Sequence, residues 1–134
     1  MISILFEEIQ SHMDLLDRAL FSSAQIAKHA EEKDLDSVVN ETENRERIMN
    51  VISSIQSNIE NKINQLNAAL LNPSDIDILK TWFNDLHIWS EKMISLDRLT
   101  VEQLSQQKDE TTKEIAHLFK NKEIIKGYNH SIKK

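Results

Sequence analysis

The chain has 134 residues with a formal net charge of −6, 40% hydrophobic and 28% charged residues, one Gly, one Pro and no Cys. That length suits a single domain, the turn chemistry is too sparse for a sheet of several strands, and disulfides, thiol nucleophiles and cysteine metal sites are excluded. An acidic body repels phosphate backbones, and no apolar stretch reaches the length of a bilayer span, so the expectation is an all-α cytoplasmic protein of a few long helices, with neither nucleic-acid binding nor membrane insertion.

The first helix is expected over residues 3–32. Phe6, Ile9, Met13, Leu16, Leu20, Ala27 and Ala30 recur at an average spacing near 3.5, a narrow seam of the coiled-coil kind. Ala24, Ala27 and Ala30 shrink the seam towards its end. The break falls at Glu32-Lys33-Asp34-Leu35-Asp36, where an Asp is suited to accept a bond from a free backbone N–H of the next helix.

The second helix is expected over 35–71, on a seam of Leu35, Val38 or Val39, Thr42, Arg45, Ile48 or Met49, Ile52, Ile55, Ile59, Ile63, Leu66 and Leu70. Its early part is weak, because Thr42 and Arg45 occupy seam positions within the charged run Glu41-Thr42-Glu43-Asn44-Arg45-Glu46-Arg47. Two readings stand there: an Arg45 guanidinium pairing with carboxylates across or along the helices, or a solvated face.

Asn72-Pro73-Ser74-Asp75 supplies a stop and a restart, with Pro suited to a first turn and Asn72 or Ser74 to a cap. A loop this short makes the flanking helices antiparallel neighbours. From residue 75 onward Leu79, Phe83, Leu86, Trp89 or Ile88, Met93, Leu96 and Leu99 recur at helical spacing, and no Gly or Pro intervenes until Gly127. A helix over 75–126 would be roughly 75 Å long and would overhang the preceding hairpin by about 20 Å. The expected fold is therefore an antiparallel three-helix bundle of long, coiled-coil-like helices over 1–112, the third helix covering 75–112. A C-terminal helical extension over 113–134 would either overhang or fold back. That extension is basic, with six Lys against Glu114 and Glu123, whereas residues 1–71 hold 12 acidic and 6 basic side chains.

No constellation for catalysis stands out, and no cofactor is expected. Glu114-Ile115-Ala116-His117 is the spacing that places two carboxylate-bridged metal ligands on one helix face, but such sites need a second pair and no other His has an acidic residue three positions before it. Phosphate-cradling loops need several glycines. Trp82, Phe83 and Trp89 read first as core packing; the alternative sets Trp82 on an exposed partner-binding face.

The acidic break Lys33-Asp34-Leu35-Asp36, the stretch Glu43-Asn44-Arg45-Glu46-Arg47-Ile48 and the ending Leu118-Phe119-Lys120-Asn121-Lys122-Glu123-Ile124-Ile125-Lys126-Gly127-Tyr128 resemble the FliT and FlgN type of flagellar export chaperone. The matching features are a turn containing an Asp ahead of a helix with an Arg-Glu element, here Arg45-Glu46, and a basic ending with a Tyr. The turn lacks the aromatic often found beside that Asp, and Gly127 stands where a small helix former is usual. The resemblance implies a non-catalytic type III export chaperone. It would hold a flagellar axial, filament-cap or hook-associated client, prevent its premature assembly and deliver it to the export apparatus. Client binding would fall to Ile115, Leu118, Phe119, Lys122, Ile125 and Tyr128. The alternative is a structural or adaptor protein that uses the same apolar seam as a homodimer.

Overall fold

The computed structural model of the chain describes residues 2–106 together with Glu114, Ile115 and His117. Over these residues the protein is all-helical and without strands: α1 spans Ile2–Glu31, α2 Leu35–Asn64 and α3 Pro73–Ser105, with one 3-10 turn at Ala68–Leu70. None of these helices is long and apolar enough to cross a membrane.

The first break is a helix stop made without glycine. Lys33 adopts φ 62°, its N–H donates to the Ala30 carbonyl (3.2 Å), and the Asp34 N–H reaches back to His29 (2.9 Å). These are the two bonds of a Schellman stop, and they satisfy carbonyls that the end of α1 would leave open. Asp34 then caps α2, accepting from the Ser37 N–H (3.2 Å) and the Ser37 hydroxyl (2.7 Å). Those two bonds hold the Asp34 carboxyl below its ordinary range.

The second break is longer than the Pro73 signal alone implies. α2 ends at Asn64 instead of 71. The Asn67 side chain accepts from the Ala69 N–H (3.0 Å) and starts the 3-10 turn, while Leu70 is 82% exposed. Asn offers the backbone an alternative to the helix, and an apolar residue with nothing to pack on adds nothing to hold the helical form. α3 opens with a reciprocal cap: the Asp75 N–H donates to Asn72 Oδ1 (2.8 Å) and the Asn72 N–H to Asp75 Oδ2 (3.3 Å), with Pro73 in the first turn.

α1 is the element against which the other two pack. Its pairings with α2 run in opposite sequence order, Glu8 with Lys62 and Ser22 with Glu41. Those with α3 run in the same order: His12 with Trp82, the Leu16 carbonyl with Trp89, and Ser23 with Met93. Facing two helices, α1 buries a broad stripe that includes Leu5, Ile9, His12, Leu16, Ala19, Ser23, Ile26 and Ala30. The expected seam was narrower and turned towards one flank: Phe6, Met13 and Leu20 are only half-buried, and Ala24 is exposed. On α3 Leu86, Trp89 and Met93 are buried as expected, and the shift is confined to the positions flanking them. Trp82 and Asp97 are buried where Phe83 and Leu96 were expected, Phe83 is 46% exposed and Leu99 is exposed as well.

α3 stops at Ser105, short of the expected 112 and 126. With 30, 30 and 33 residues the three helices are about 45 to 50 Å long and nearly matched. Leu104 is the last buried side chain of α3 and lies in a cluster with Ala30 and Val38, at the end where α1 passes into α2. Past that level the hairpin offers α3 no further surface to cover. The expected division at 112 and 113 lies outside the described residues.

Candidate partner-binding site

Of the six residues expected to bind a partner, Ile115 is described; Leu118, Phe119, Lys122, Ile125 and Tyr128 lie outside the described residues. Ile115 is helical and half-buried, and it packs against a small cluster formed by Ile26, Ala30, Val38 and Leu104, with Leu35 and Val101 at its margin. Each side chain is placed by its own helix period: Ile26 and Ala30 are one turn apart on α1, Val101 and Leu104 about one turn apart on α3, and Val38 stands in the first turn of α2. The surface under Ile115 is thus apolar and built from all three helices. Sequence periodicity marks Ile115 as apolar, but its seat depends on where three helix ends converge, which local spacing does not encode.

Next to this cluster lies a buried polar layer. Arg45 and Asp97, 1% and 2% exposed, form an ion pair between α2 and α3, and Arg45 Nη1 also donates to Ser23 Oγ on α1 (3.0 Å). Ser23 in turn donates to the Met93 sulfur (3.3 Å), and Ser22 to Glu41 Oε1 (2.7 Å). Burial raises the Asp97 carboxyl above its ordinary range, against the opposing pull of the guanidinium. Of the two readings of Arg45, the structure shows the cross-helix pair. The signal available beforehand was a lone Arg on an otherwise apolar seam; its partner Asp97 carried none, since it sits between the apolar Leu96 and Leu99.

Trp82 is buried at 2%, which removes it as an exposed contact. Its indole N–H donates to His12 Nδ1 (3.1 Å), and the two rings meet edge to face at 5.5 Å. Desolvation lowers the His12 pKa to about 4, while Gln56 and Glu60 act in the opposite direction. The ring is therefore neutral at pH 7, with Nδ1 as the acceptor and the proton on Nε2. A His aimed into a core is easily read as a ligand, but here it completes the hydrogen bonding of a buried tryptophan.

Glu114 and His117 are both exposed, and among the described residues no group of three or more potential metal ligands gathers. An apolar pocket of about 180 Å³ lies at the far end of the bundle, lined by Ile4, Leu5, Lys62, Gln65 and Leu66. Lys62 beside it is paired with Glu8. From Ile4 to Ala30 along α1 is about 39 Å, so this pocket and the seat of Ile115 are separate surfaces.

Comparison with known proteins gives no match to a family model, a curated protein or a solved structure.

Proposed function

We propose that the protein is a non-catalytic export chaperone of the flagellar type, which binds one client through its C-terminal amphipathic segment and passes it to the export apparatus in the cytoplasm. The reading starts from the resemblance in residues 33–48 and 118–128. Support comes from three long helices in a chain of this size and from Ile115, a residue of the candidate segment, seated on an apolar cluster of the bundle.

The finer architecture belongs to the same proposal: an antiparallel, up-down-up bundle with the extension folded back. The opposed order of the α1 and α2 pairings and the matched order of the α1 and α3 pairings support the first part. Ile115 supports the second. A straight continuation of α3 would carry it about 16 Å beyond Leu104, too far to share a cluster with Ala30 and Val38. A client helix would then meet the apolar face of the extension in the helix-in-groove manner.

Co-purification of the full chain with flagellar axial proteins, and of a chain lacking residues 113–134, tests the reading. A one-to-one complex lost on truncation is the expected result; a complex that survives truncation overturns the assignment to the extension. Self-association is the competing reading, favoured by Ile88 and Leu99, 41% and 43% exposed and three turns apart on one side of α3. Sedimentation at high micromolar concentration decides it, since a monomer there removes the homodimer.

A further inference from the structure

The apolar core of the bundle is divided. One cluster contains Leu16, Ile52, Ile59, Leu86 and Met93; the other is the small group of Ile26, Ala30, Val38 and Leu104. At the level between them each helix contributes a buried polar side chain: Ser23 from α1, Arg45 from α2 and Asp97 from α3. Ser23 bonds to the sulfur of Met93, at the edge of the larger cluster. Towards the smaller cluster, Asp97 Oδ2 and Thr100 Oγ1 are buried without a hydrogen-bond partner among the described residues.

Two physical consequences follow from that placement. Among the described residues apolar contacts do not run continuously from one cluster to the other, so separating the helices at the small cluster leaves most of the larger one untouched. An ion pair taken out of water repays its desolvation poorly, and water reaching the layer would supply the bonds that Asp97 Oδ2 and Thr100 Oγ1 lack. Opening up to the layer is therefore cheap, and opening beyond it breaks into the larger core.

We propose that the Arg45–Asp97–Ser23 layer is a boundary of cooperative unfolding. The end of the bundle beyond it, residues 26–31, 38–42 and 98–105, opens as one unit while the remainder stays closed. Such an opening uncovers the seat of Ile115, and it is a property of the bundle that holds whatever partner the protein takes.

Native-state hydrogen exchange on the full chain, resolved by residue and repeated at sub-denaturing urea concentrations, tests this. Amides of residues 26–31, 38–42 and 98–105 are expected to share one opening and to exchange at least about tenfold faster than those of 9–20, 49–59 and 82–93, with a step at Asp97. Ordinary fraying would instead give protection that rises residue by residue inward from Ser105, and that graded profile overturns the proposal, as does one common opening for all six segments. Leu104→Ala is expected to speed exchange in the end segments alone; uniform acceleration counts against the boundary. In the double variant R45M/D97L the two clusters fuse, and the step should fall below about threefold. A step that persists unchanged in the folded double variant shows that the layer is not its cause; the profile of the unaltered chain and the Leu104→Ala result decide the matter where that variant does not fold.

Discussion

His12 and Arg45 show how a polar side chain enters a small core on different terms. His12 enters neutral, because its Nδ1 lone pair is wanted by the Trp82 indole and burial opposes its charge. Its folded pKa of about 4 lies below the ordinary histidine value of 6.5, so the unfolded chain binds the proton more readily. The stability from this site is complete above about pH 6.5 and is lost as pH falls towards 4. Between pH 7 and pH 4.5 the unfolding free energy should fall by about 2–3 kcal/mol more in the unaltered protein than in His12→Gln, as read from urea unfolding at the two pH values. Arg45 enters charged and brings its counter-ion. Arg45→Met leaves Asp97 buried without its partner cation and should cost about 3–5 kcal/mol at pH 7, whereas R45M/D97L should cost far less. Burial already raises the Asp97 pKa, a shift that favours the folded state below the ordinary carboxylate range and ceases to do so as pH rises through the folded pKa. With Arg45 gone the shift grows, so the penalty of Arg45→Met should shrink as the solution is acidified; denaturant melts at pH 7 and pH 4 check the sign.

At the scale of elements, the helix ends divide into those set by neighbours along the chain and those set by packing. The Asn72 and Asp75 cap and the Asp34 cap are local devices, and both breaks are visible as short strings of residues. The stop at Lys33 is local too, but it uses a residue with a Cβ in the left-handed region, where glycine is the unstrained choice. Lys33→Gly should therefore stabilise the protein by about 0.5–1 kcal/mol, seen as a higher urea midpoint at unchanged slope. The early end of α2 at Asn64 is of the other kind: Leu66 and Leu70 continue the apolar period, and helix formation fails there because Leu70 has no surface to pack on. α3 ends at Ser105 where the hairpin it covers also ends.

For the whole molecule, the consequence is a bundle centred on its first helix, with two clusters and a charged layer between them, and a C-terminal contact at one end through Ile115. Ile115 is half-buried at the margin of the small cluster and does not enter the larger one. Deleting residues 113–134 should therefore leave the bundle folded, with its urea unfolding free energy changed by no more than about 1–2 kcal/mol. The same measurement makes the truncated chain a valid reagent for the client-binding experiment.

The amino-acid sequence by itself determined the all-helical class, the three long helices of the described residues, and the capped starts of α2 and α3, but not where α2 and α3 end. Those features follow from composition, from apolar recurrence at three and four residues, and from capping groups that act within a few positions of themselves. Of the candidate site, the sequence marks Ile115 only as one apolar residue of an amphipathic patch. Only the tertiary structure decided which flank of each helix is the centre of the core. Phe6 and Leu5, or Phe83 and Trp82, are equally apolar neighbours, and the choice between them depends on the angle at which another helix arrives. The pairing of Arg45 with Asp97 and the seat beneath Ile115 were decided there as well. They join Arg45 to a residue 52 positions away and Ile115 to residues of α1 and α2 more than 70 positions away, and no local spacing carries those distances.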